Sequence, residues 1–206
     1  MKSLLFSIFM LVSVFSYAQH DEAYLNGLVS GFTSSLKSKN IDTYLISKRY
    51  CIGNIEIFQL GDGSLCASKS TYFEVYLFWL EGEVAKIKKI DNCGLYTTLE
   101  LSNSNIMDFM GIYKNDIKQN PVKHYQFASK GSGPIQSTEI HSCSRVIEYR
   151  DGTGLEINQL YNLFDITNDA MEENINFEYN NTLNIISLDE MMSNAIEKVE
   201  DQFRRE

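Results

Sequence analysis

Proline is nearly missing from this chain, with two in 206 residues, and glycine stops at twelve. Those counts exclude collagen-like repeats and Pro/Gly-rich low-complexity material. Histidine is also scarce, with three residues, His20, His124 and His141. No H-E-x-x-H occurs, and the four cysteines include no C-x-x-C, so neither a zinc centre nor a thioredoxin-like redox pair is expected. There is no G-x-S-x-G elbow; Gly131-Ser132-Gly133 lacks the strand-to-helix setting that motif needs. Asp151-Gly152-Thr153-Gly154 reads as a turn, since no lysine follows to hold a phosphate. Basic residues are outnumbered 18 to 27, leaving a net charge of −9. With no Lys/Arg stripe, nucleic acid and anionic membrane surfaces are poor partners. The densest basic run, Lys86, Lys88 and Lys89, reads as an edge strand guarded by lysines. After the amino terminus no apolar run outlasts Val75 to Leu80, far short of the ~20 residues a membrane-crossing helix needs.

What is present begins with an export leader. Met1-Lys2 is positive, Leu4 to Phe15 is almost continuously apolar, and Ser16-Tyr17-Ala18 sets small residues before Gln19. The expectation is a signal peptide over residues 1–18, cleaved after Ala18, and a single α+β domain over 19–206. The mature protein is then periplasmic or secreted. The first cysteine is Cys51, so no lipid anchor follows the cleavage point. Export meets oxidising conditions, which makes Cys51, Cys66, Cys93 and Cys143 disulfide candidates. Hydrophobic residues at 44% and charged residues at 22% describe a chain that folds.

The pattern from Asp21 is helical, with Tyr24, Leu25, Leu28, Val29, Phe32 and Leu36 at spacings of three and four and Asp21 as N-cap. Alternation then predicts strands over 54–60, 72–80, 84–90 and 95–101, joined by short turns into an antiparallel meander. Tyr72 to Leu80 is bulky on both sides, as suits a central strand covered on both faces. A second helix is expected over 103–118, with Phe109 and Tyr113 in its buried stripe. Strands are expected over 138–149 and 155–164, and a last hairpin over 175–185. A capping box of Ser187 and Glu190 opens a carboxy-terminal helix buried through Leu188, Met191, Met192, Ala195, Ile196, Val199 and Phe203. The fold class is α+β: an antiparallel meander sheet packed by amino-terminal, middle and carboxy-terminal helices. Four cysteines allow three pairings. The expected hairpins set Cys51 and Cys93 on either side of the central strand, about 9.6 Å apart, too far to bond. The lean is towards Cys66 with Cys93 and Cys51 with Cys143.

Tyr76-Leu77-Phe78-Trp79 followed by Lys88-Lys89-Ile90-Asp91-Asn92-Cys93 resembles exported bacterial proteins of no assigned function, a resemblance that implies no activity. Phe32 to Leu45, through Ser38-Lys39-Asn40-Ile41-Asp42, is similar to the opening of the cone-shaped nuclear-transport-factor-like domains. The short-turned meander departs from that pattern.

Catalytic chemistry has few candidates. His141 and Cys143 stand two apart on an expected strand, hence on one face, with Glu139 beyond them. Read boldly, that is a thiolate beside its base; read plainly, Cys143 is oxidised and His141 bonds a neighbouring strand. Asp165, Asp169, Glu172 and Glu173 are oxygen donors without the order of a calcium loop. They read as solvated acids suiting a short helix's dipole. His20 beside a new amino terminus could hold copper weakly, though a chance polar terminus accounts for it as well. Tyrosines are plentiful enough for a sugar platform, but alternation within strands makes most of them packing residues. No metal or cofactor is expected. The expected function is a non-catalytic exported protein that binds a protein or small ligand. The alternatives are an exported hydrolase using His141 with Cys143 or an acidic partner, and an acidic inhibitor or immunity-type protein.

Overall fold

The computed structural model describes residues 18–129, 131 and 133–206. Residues 1–17 of the leader expected over 1–18, and Ser132 of the Gly131-Ser132-Gly133 loop, lie outside the described residues. The elements run β1 (Ala18–His20), α1 (Glu22–Ser38), β2 (Tyr44–Cys51), β3 (Ile57–Gln59), β4 (Leu65–Ser68), β5 (Phe73–Glu81), β6 (Val84–Asp91), β7 (Gly94–Leu95), β8 (Leu99–Glu100) and α2 (Asn105–Gln119). They continue with β9 (Gln126–Phe127), β10 (Ile135–Gln136), β11 (Cys143–Asp151), β12 (Gly154–Asn162), a 3-10 turn (Leu163–Ile166), α3 (Phe177–Asn181), α4 (Asn184–Val199) and a second 3-10 turn (Glu200–Gln202). The fold is α+β around a main antiparallel sheet of order β12-β11-β2-β5-β6-β7, with β8 also on β6. A small sheet, β1-β4-β3, holds one parallel pair, β1 with β4.

Strand alternation decides the layering. Phe73, Val75, Leu77 and Trp79 of β5 pack with Leu25 and Leu36 of α1 on one face. Tyr76 and Phe78 point the other way, onto Met107 and Met110 of α2 and Leu188, Met192 and Ile196 of α4. Helices therefore cover both faces, and β5 is the doubly buried strand its sequence describes. Asp21 caps α1, accepting from the Tyr24 amide at 3.1 Å.

Several expectations are corrected. β2 lies between β11 and β5, yet Lys48 and Arg49 interrupt its apolar alternation, so it passes unread in the sequence. The stretch 54–60 forms only Ile57–Gln59, pairs with Leu65–Ser68, and stays off the main sheet. The expected hairpin over 175–185 is α3 followed by the start of α4. Its alternation is overridden by Asn180, fully buried, whose side-chain amide donates to the Lys123 and Asp165 carbonyls at 2.8 Å each. Helix α4 begins at Asn184, so Ser187 sits inside it and caps nothing. A capping box occurs instead at Asn162 and Asp165 of the first 3-10 turn. Tyr113 is exposed rather than buried, its ring tilted against Phe109 with centroids 4.5 Å apart. Lys88 and Lys89 are not edge guards: β6 is flanked on both sides, and they are 3% and 6% exposed.

Candidate functional site

The structure closes all four cysteines into two disulfides, Cys51–Cys143 and Cys66–Cys93. Cys51 and Cys143 stand directly opposite in the β2–β11 register. A thiolate beside His141 is thereby removed. The strand begins only at Cys143, leaving His141 in an exposed turn with Nδ1 3.4 Å from the Ile52 carbonyl. Of the four acids expected to be solvated, Asp169, Glu172 and Glu173 are exposed and Asp165 is not. Asp165 is buried and accepts from the Tyr125 amide at 2.9 Å and the Asn162 amide at 3.1 Å. Asp169 accepts at the surface from the amides of Met171 and Glu172. Among the described residues no group of three or more His, Cys, Asp or Glu is placed to hold a metal ion. His20 is committed to the fold, with Nδ1 2.8 Å from the Asn92 carbonyl and its ring stacked on Tyr24.

Two features stand out. The first is a groove of about 670 Å³ between β8, the start of α2, and α4. Its floor is apolar, from Leu101, Ile106, Met191, Ala195 and Val199, and its rim carries Ser102, Asn103, Asn105, Asn194 and Gln202. Glu100 and Lys198 are the charged residues lining it, and Lys86 pairs with Glu100 at 2.6 Å. The lining is thus nearly neutral, amphipathic and rich in side-chain amides, which donate and accept at once.

The second is a row of charge under α4. The registers align Tyr161, Arg145, Arg49, Glu74 and Asp91 across β12, β11, β2, β5 and β6. All point to the α4 side, where burial would otherwise demand apolar residues. Like charges meet directly twice, Arg145 with Arg49 and Glu74 with Asp91, an arrangement that costs stability unless counter-charges intervene. On the acidic side they do. Arg205 forks onto Asp91 at 2.7 and 2.8 Å, while Tyr72 and Tyr96 donate to the same carboxylate at 3.0 and 2.9 Å. Lys89 lies 2.8 Å from Glu74 and also bonds Glu200. Burial pulls Lys89 down, but Glu74 and Glu200 outweigh it and its net shift is upward.

The basic side is less well compensated. Asp189 of α4 faces both guanidiniums at loose distances, 3.4 Å to Arg49 and 3.3 Å to Arg145. Tyr161 donates to the same carboxylate at 2.9 Å. Burial lowers the Arg49 pKa, Asp189 opposes that, and the neighbouring charge of Arg145 lowers it further.

No catalytic nucleophile–base pair emerges from these residues among those described, and the signal that would have revealed the row is a charge at one in-register position of successive strands. No helix among the described residues is long and apolar enough to cross a membrane. Neither a family model, nor a curated protein, nor a solved structure matches the chain.

Proposed function

We propose that this chain is a non-catalytic protein of the periplasm or the extracellular medium, and that the groove between α2 and α4 receives its ligand. The observation that carries the reading is the oxidised state of all four cysteines. Paired disulfides belong to chains that fold outside the cytosol, and they leave no thiol for chemistry. The leader-like amino terminus agrees with that compartment. The groove's size falls within the ~300–1,000 Å³ range of ligand pockets. Its near-neutral, amide-rimmed lining suits an uncharged amphipathic ligand or an extended segment of a partner protein, whose peptide groups the amides would satisfy.

The test has two arms. Non-reducing peptide mapping of the protein from its own host should find both disulfides and Gln19 as the first residue. In the second, a panel of neutral short peptides and glycosides is screened by thermal shift against the native chain and Ala195→Trp, which fills the groove. A ligand that stabilises only the native chain supports the reading. Reduced thiols in the isolated protein overturn the compartment. Turnover of ester or peptide substrates that disappears in His141→Ala overturns the absence of catalysis.

A further inference from the structure

We infer that the cleft between β9 and the start of α3 docks a partner protein, through a segment that sets lysine or arginine between apolar side chains. The cleft shares no residue with the groove between α2 and α4, and the inference does not rest on that groove.

Solvent exposure is the starting point. The cleft holds about 410 Å³, and Phe127, Met171, Ile175 and Phe177 form its apolar wall. Met171 is 92% exposed and Ile175 50%. Ile135, directly opposite Phe127 in the β9–β10 pair, is exposed as well. Packing of the core accounts for none of this exposure. Single apolar residues at a surface are ordinary, whereas several gathered around one cleft mark a contact area. Methionine suits such a place, because its unbranched, polarizable side chain adapts to what it meets.

Charge selects the occupant. Glu172, Glu173 and Glu178 line the same cleft, and no lysine, arginine or histidine among the described residues does. None of the three carboxylates pairs with a described residue. Residues 123–136 and 165–178 together hold five carboxylates, Asp165, Asp169 and the three glutamates, against Lys123 and Lys130. The surplus is three negative charges, or two with His124 protonated. Lys123 is held over the Tyr179 ring, 3.9 Å from its centre, and His124 lies 3.6 Å from Asp165. A second copy of this chain, at net −9, would bring like charge to like, and an anionic lipid surface is repelled on the same ground. A basic side chain flanked by apolar ones meets both halves of the cleft. Its charge reaches the glutamates, its stem and neighbours cover the wall, and phenylalanine rings attract a cation over their faces.

The wall is in place before any partner arrives. Asn174, buried beside it, accepts from the Gln126 and Asn176 amides at 3.3 and 3.0 Å and donates to the Asp165 and Thr167 carbonyls. The Ile175 amide donates to the Gln126 carbonyl at 2.8 Å. The Tyr125 hydroxyl donates to the Glu172 carbonyl and accepts from the Asp169 amide at 3.2 Å. These bonds fix the backbone that carries Met171, Ile175 and the glutamates, so docking loses little chain freedom. Met171 and Ile175 stay open to solvent instead of closing over the cleft, and a partner's surface covers what a small amine would leave wet.

The experiment titrates the full mature chain into a fluorescently labelled peptide of arginines alternating with leucines, read by anisotropy. Two further peptides carry glutamate in place of arginine and serine in place of leucine, and butylammonium chloride serves as a small competitor. The arginine–leucine peptide should bind saturably, and less tightly as sodium chloride is raised; the other two should not bind. Glu173→Gln with Glu178→Gln should raise the dissociation constant about three- to thirtyfold, and Met171→Ser should raise it too. Glu83→Gln with Glu190→Gln removes the same charge elsewhere and should leave it unchanged. All five positions are exposed, which keeps the fold out of the comparison. Equal effects of the two double variants reduce the binding to net charge and overturn the docking surface. A serine peptide that binds as well as the leucine one overturns it, as does the absence of binding by any peptide. Butylammonium competing at the peptide's own concentration assigns the cleft to a free amine instead. Self-association of the native chain that Met171→Ser abolishes assigns it to a second copy; either result overturns the partner protein.

Discussion

Asp91 shows how a charge survives full burial. Its carboxylate accepts from both Arg205 nitrogens, the hydroxyls of Tyr72 and Tyr96, and the Cys93 amide, so every lone pair lost to water is replaced. Asp91→Asn keeps the shape but strands Arg205 beside a neutral amide. Breaking a buried pair from one side costs about 3–5 kcal/mol, and urea denaturation should show a loss of that order. Replacing both partners, Asp91→Leu with Arg205→Met, should recover a large share, because no charge is then left unpaired. The tyrosines of this layer make a second prediction. Burial, and then the neighbouring carboxylates, push Tyr72, Tyr76, Tyr96 and Tyr161 far above their ordinary value. Lys89 is shifted in the same direction. A folded pKa above the unfolded one adds stability that is whole below the unfolded value, and that stability drains away as pH climbs past it. The unfolding midpoint should therefore hold steady through neutral pH and fall above pH of about 10. Tyrosinate absorbance should rise together with unfolding. A tyrosinate signal appearing while the chain is still folded would contradict this account.

At the scale of elements the two disulfides differ in what they close. Cys51–Cys143 spans 92 residues and Cys66–Cys93 spans 27. On chain-entropy grounds the longer loop contributes about 1 kcal/mol more. Paired alanine replacements at Cys51 and Cys143 should lower the denaturant midpoint further than the same change at Cys66 and Cys93. The helices were legible wherever one apolar face repeats. Asp21 with Tyr24, Leu25, Leu28 and Leu36 describes α1 almost to the residue, and Ile106, Met107, Met110 and Ile117 describe α2. β2 was not legible, because Lys48 and Arg49 look like solvent-facing charges. Their partners, Glu22 and Asp189, lie 26 and 140 residues away. Residues 175–185 misled for the opposite reason. Ile175, Phe177 and Tyr179 alternate like a strand, while asparagines buried in the next layer set the local backbone. Asn174 donates to the Asp165 and Thr167 carbonyls at 2.9 and 3.1 Å, and Asn180 accepts from the Lys123 amide and donates to the Lys123 carbonyl. Local periodicity cannot carry information that resides in distant polar partners, and the charged row under α4 went unread for the same reason.

For the molecule as a whole, an antiparallel sheet enclosed by helices could be anticipated from hydrophobic pattern, but neither its strand order nor the place where the two ends of the domain meet could. Strand β1 pairs with β4. The Asn92 side chain donates to the His20 carbonyl at 2.9 Å. Nearby, the last residues run along β7 and its continuation: the Thr97 amide donates to the Arg204 carbonyl at 2.7 Å, and the Glu206 amide to the Leu95 carbonyl at 2.9 Å. Between the two ends lies the Cys66–Cys93 disulfide, and Lys88 pairs with Glu206 at 2.6 Å. Residues 204–206 thus close the open side of the β6–β7 corner and deliver the counter-charge for Asp91. A chain ending at Phe203 keeps every helix and every strand of the main sheet, so a view of the tail as passive surface predicts almost no change. The network predicts the reverse. Asp91 would remain buried and charged without Arg205, and Lys88 would remain buried without Glu206. The truncation should cost at least the ~3–5 kcal/mol of a broken buried pair. Adding Asp91→Leu to the truncated chain should restore part of that loss, although the same change in the intact chain destabilises. Equilibrium urea unfolding of the four chains measures both effects. Additive behaviour of the substitution and the truncation would show that the carboxy-terminal residues and Asp91 act independently, and the clasp would then be wrong.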